Sequence, residues 1–108
     1  MTFLAIDAQK NLLTLQKSQL QFELTLIMSR VNYVTKQMGY RAQVLEDQEI
    51  DLDDDATYVE LQRQESYLET RQDSIESQIS VMDNEINGLK TLVQNNIKSG
   101  CSLNLIGG

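Results

Sequence analysis

In the second half of this 108-residue chain, Leu61, Leu68, Ile75, Met82 and Leu89 fall at strict seven-residue intervals. Ile79, Ile86 and Val93 interleave four residues after Ile75, Met82 and Leu89. A repeat of seven with two apolar positions is the seam of a helix packed along another helix, and no sheet of alternating residues satisfies it. The matching positions nearer the start are Glu65 and Gln72, so the seam is wetter there and drier toward Val93. Polar seam positions weaken packing but fix register. The chain has no Pro and only five Gly to interrupt such a pattern. The predicted fold class is all-α.

The first half supplies the partner. Leu20, Leu24, Ile27, Val31, Val34 and Met38 recur at alternating steps of four and three, and Ile6 and Leu13 extend that stripe backwards. A second stripe, Leu4, Ala8, Leu12, Leu15, Phe22, Leu26 and Tyr33, runs on an offset face of the same helix. Helix 1 is therefore apolar on two sides.

Between the halves lies "EDQEIDLDDDATYVELQ", which packs seven carboxylates into Glu46 to Asp55 and then turns apolar-periodic. An EF-hand reading that starts at Asp51 places Asp53 and Asp55 at the third and fifth positions. It fails at Ala56, Val59 and Gln62, where the loop needs Gly, an oxygen ligand and a bidentate Glu. No metal site is predicted. Thr57 with Glu60 three residues on reads instead as a capping box, and the preceding Asp53 to Asp55 suit the positive end of the helix dipole. Gly39 reads as a C-cap or a weak point within helix 1.

These signals predict a long antiparallel two-helix hairpin in a single domain, 1–108. Helix 1 covers about 3–46, an acidic turn about 47–56, helix 2 about 57–99 and an apolar tail 100–108. Each helix of about forty residues would be roughly 60 Å long. The charges agree with this pairing. Residues 1–45 carry five Lys/Arg against two Asp/Glu, while residues 46–108 carry four against fourteen.

The same counts exclude much chemistry. With no His and one Cys, imidazole catalysis, a Cys–His pair and a zinc site are ruled out on residue count, and no enzyme or cofactor is predicted. Lys10, Lys17, Arg30, Lys36 and Arg41 are too thinly spread, with no aromatic partners for base stacking, to make a nucleic-acid stripe. Cys101 reads as a small apolar packing residue, an intermolecular bridge being the alternative. Met28, Met38 and Met82 read as core filling. "MTFLAIDAQK" lacks the basic region and cleavage site of a Sec signal peptide, and no window is apolar enough for a transmembrane helix. The terminal "LNLIGG" has no β-grasp pattern before it and is no conjugation tail.

What remains is surplus apolar surface. The hairpin core is assigned to Leu20, Leu24, Ile27, Val31, Val34, Met38, Leu61, Leu68, Ile75, Ile79, Met82, Ile86, Leu89 and Val93. Leu4, Leu12, Leu15, Phe22 and Leu26 are left uncovered, and Leu103, Leu105 and Ile106 add apolar side chains beyond the expected end of helix 2. These eight are the candidate assembly interface.

The stretches "FLAIDAQKNLLTLQKSQLQFELTLI" and "LETRQDSIESQISVMDNEINGLKTLVQNNIKSG" carry a resemblance. Their pattern resembles the helical-hairpin filament subunits exported by bacterial type III and flagellar-type machines, the needle subunits and the terminal coiled-coil parts of flagellins. The resemblance covers most of the chain and departs from needle subunits in the "LIGG" ending. It implies a structural subunit that buries both chain ends in the wall of a helical filament. It also implies an extracellular or cell-surface location reached without a cleaved signal peptide. The alternative expectation is a cytoplasmic coiled-coil adaptor or secretion chaperone that forms a small closed oligomer or binds one partner helix.

Overall fold

A computed structural model describes the backbone of residues 2–107 and the side chains of residues 2–95 and Ile97. Two long helices, α1 (Phe3–Asp47) and α2 (Ala56–Gly107), pack against each other in an all-α hairpin, with no strand among the described residues. A single 3-10 turn, Leu52–Asp54, lies between them.

Thr2 starts α1. Its carbonyl accepts the first helical hydrogen bond, from the Ile6 N–H at 3.0 Å, and its Oγ1 accepts from the Ala5 N–H at 3.2 Å, which satisfies one of the helix's orphan donors. Gly39 neither caps nor breaks the helix, which passes straight through it; a Cβ built there meets nothing within 4 Å.

α1 ends in a Schellman motif. The Ile50 N–H donates to the Leu45 carbonyl at 2.9 Å and the Glu49 N–H to the Glu46 carbonyl at 3.1 Å. The left-handed position of that motif, normally glycine, is held by Glu49 at φ 57°. This Glu carries the one positive φ found among the described residues other than glycine.

The start of α2 differs from the sequence expectation. Asp55, in extended conformation, is the cap: its Oδ2 accepts from the Tyr58 N–H at 2.8 Å and its carbonyl from the Val59 N–H at 3.0 Å. Thr57 lies inside the helix, and Glu60 is engaged by Arg63 at 2.6 Å, so no Thr57–Glu60 capping box forms. Asp55 prevails because its carboxylate has a second use across the reversal. The other end differs too. α2 continues to Gly107 where an irregular tail was expected over 100–108, since Gly100 alone costs only about 1 kcal/mol in a helix and no Pro follows it.

Two compact units can be distinguished along the hairpin. The first comprises Met1–Gln21 with Ser77–Gly108, and the second Phe22–Glu76. In the first, Ile6 and Val93 are buried, Leu13, Leu20, Ile79, Met82, Ile86 and Leu89 are half-buried, and Lys17 pairs with Asp83. In the second, Ile27, Val34, Leu45, Leu68 and Ile75 are buried, with Leu24, Val31, Met38 and Leu61 half-buried around them. Leu45 and Ile75 are the most enclosed, and burial of each contributes about 1.5–3 kcal/mol.

Candidate functional site

Every residue assigned to the hairpin core is therefore buried or half-buried. Leu45 belongs with them and was missed, although Met38, Ala42 and Leu45 continue the same four-and-three spacing. The polar seam positions are satisfied rather than empty. Glu65 accepts from Thr35 Oγ1 at 3.1 Å, and Gln72 Nε2 donates to Glu76 at 3.3 Å.

The residues assigned to an assembly interface lie elsewhere. Leu4, Leu12 and Leu15 are exposed in the first unit, and Phe22 and Leu26 in the second. The side chains of Leu103, Leu105, Ile106 and Cys101 lie outside the described residues. Tyr33, the last member of the second stripe, is exposed as well, and the structure adds Tyr40 to it. Leu12, Gln19, Leu26, Tyr33 and Tyr40 stand at intervals of seven, and Leu15 and Phe22 fall three residues after Leu12 and Gln19. At 100° per residue this frame is centred roughly 150° around the helix from the buried one. α1 thus carries two seams, of which α2 covers one.

At the chain reversal, Arg41 grips Asp55 at two points. Arg41 Nε donates to Oδ2 at 2.9 Å and Nη2 to Oδ1 at 2.6 Å. Asp55 is 12% exposed at its side chain. The guanidinium hydrogen bonds, helped by the Tyr58 N–H, hold the Asp55 carboxyl below its ordinary range, and the Arg41 guanidinium is stabilised in turn. Glu60 is lowered to about 2 by the hydrogen bond from Arg63 and a weaker one from Gln64, but it faces solvent, which screens the effect. Among the described residues, no group of three or more acidic or other ligating side chains converges in a way that could hold a metal ion.

The second unit also has a groove of about 580 Å³ along one side. Buried Ile27 and Leu68 floor it, and exposed Tyr33 of α1 and Tyr67 of α2 flank it. Arg30 lies beside the tyrosines; Arg71 is paired with Glu23. A second hollow of about 370 Å³ shares Arg30, Tyr33 and Tyr67 and adds Arg63. Neither is a closed pocket with convergent acid, base or nucleophile, so the geometry suits contact with another surface. No helix among the described residues is long and apolar enough to cross a membrane.

No protein-family model, curated protein or solved structure matches the chain.

Proposed function

We propose that this chain is a non-enzymatic structural subunit that associates with further copies of itself through the exposed side of α1, building a cell-surface or extracellular helical filament or tube. One observation supports the reading: Leu12, Leu15, Phe22, Leu26, Tyr33 and Tyr40 are exposed in a single heptad frame. That spacing suits helix packing, and single apolar residues scattered on a surface do not keep it.

Sedimentation velocity and negative-stain microscopy of the purified chain test this directly. Filaments or large oligomers are expected, and a monodisperse monomer at high concentration overturns the proposal. Leu12→Asp with Leu15→Asp should block association while leaving helicity by circular dichroism intact, because neither side chain takes part in the buried seam.

The regularity of the exposed frame also suits a second reading, an adaptor that closes into a small bundle or takes up one partner helix. An isologous contact stops at a defined oligomer whereas a heterologous one propagates, so the same micrographs separate the two.

A further inference from the structure

We propose that the groove between Tyr33 and Tyr67 receives the acidic reversal, residues 46–54, of another copy of the chain. Ile50 seats on the apolar floor of Ile27 and Leu68, and its neighbours Glu49 and Asp51 face Arg30. This rests on self-association and adds a second contact to the one made by the exposed side of α1.

Charge and composition identify the occupant. The chain has four Arg and four Tyr, and Arg30, Arg63, Arg71, Tyr33 and Tyr67 all line these two adjoining hollows. Arg and Tyr are the residues that most often carry binding energy at interfaces. Arg63 and Arg71 already have carboxylate partners, but Arg30 has none among the described residues. An unpaired cation beside two aromatic faces, in a chain of net charge −7, calls for an anionic partner with an apolar tip.

The reversal has that chemistry. None of its six carboxylates, Glu46, Asp47, Glu49, Asp51, Asp53 and Asp54, has a cationic partner among the described residues, whereas the adjoining Asp55 is held by Arg41. Among them Ile50 projects, 42% exposed, with its N–H anchored to Leu45 by the Schellman motif. The loop cannot reach its own groove. Tyr33 lies fourteen residues before the end of α1 at Asp47, about 21 Å along the helix. The occupant must come from a second molecule. Because the two surfaces differ, each subunit offers one loop and one groove, and a head-to-tail contact between them extends into a filament unless its rotation closes a ring.

The test uses full-length Arg30→Glu and Asp51→Lys variants, with Lys36→Glu as a control of equal charge change outside the groove. By sedimentation velocity over a concentration series, R30E and D51K should each weaken association at least roughly tenfold, and K36E clearly less. An equimolar mixture of R30E and D51K should recover association, because one variant retains a native loop and the other a native groove. Wild-type protein that associates while R30E behaves like K36E, or a mixture no better than its components, overturns loop docking and leaves self-association standing. A wild-type chain that stays monomeric overturns both.

Discussion

Arg41 and Asp55 meet across the chain reversal through two hydrogen bonds, at 2.9 and 2.6 Å, while the same carboxylate caps α2 through the Tyr58 N–H at 2.8 Å. One side chain therefore stops the loop and starts the helix. Removal of its charge and removal of its cap are separable. Asp55→Asn keeps an oxygen for the Tyr58 N–H and loses the ion pair, whereas Asp55→Ala loses both. The Ala variant should lower Tm by about 5 °C and the Asn variant by less, measured by circular dichroism melting.

The same pair sets an acid limit. Asp55 is held below its ordinary value of 3.8 in the folded chain, so the folded state binds its proton less readily than the unfolded state. Its contribution is complete above that value and disappears as pH falls through the lower, folded one. Urea midpoints should be flat near neutrality and decline below about pH 4, and that decline should be shallower in Asp55→Asn. A pH profile identical in wild type and variant would mean that other carboxylates carry the effect; Glu60, though lowered to about 2, is too solvated to contribute much.

Glu49 occupies the left-handed end of α1 at φ 57°. Glycine adopts that conformation without a Cβ penalty, so Glu49→Gly should stabilise the chain by up to about 1 kcal/mol despite its freer unfolded state. The expected result is a higher urea midpoint at an unchanged slope. A lower midpoint would show that the Glu49 side chain contributes something that its backbone geometry does not reveal.

The two seams of α1 should respond differently to truncation. Leu45 is 0% exposed, and Leu45→Ala should cost about 2–4 kcal/mol; Leu12, 54% exposed, should cost less than about 0.5 kcal/mol as Leu12→Ala in dilute, dissociated protein. Denaturant melts at low concentration give the comparison.

Gly39 and Gly88 both lie within helices where an added Cβ meets nothing within 4 Å. Gly39→Ala and Gly88→Ala should each raise stability by about 0.5–1 kcal/mol, read from the same melts.

The seven-residue spacing of Leu61 to Leu89 and the four-and-three stripe of Leu20 to Met38 are long-range repeats, and a repeat states its own packing face. The hairpin and its core were legible for that reason. The exposed stripe was legible as surplus, because two faces of α1 compete for one partner. Most of what sequence did not show depended on residues that meet only after the chain reverses. Thr57 and Glu60 match a local capping pattern, yet Asp55 wins through Arg41, fourteen residues away. The left-handed Glu49 carries no glycine to announce it. The groove of Tyr33, Arg30 and Tyr67 joins positions from both helices, and no spacing within either one predicts it.

The polar contacts between the helices have an order of closure written into them. Arg41 to Asp55 spans 14 residues, Thr35 to Glu65 spans 30, Glu23 to Arg71 spans 48, and Lys17 to Asp83 lies further still. Each contact, once made, shortens the loop that the next must close, so the entropy of closure is met in small steps. Despite its distant partners the hairpin can fold as a zipper from the reversal outward, at the speed of local structure.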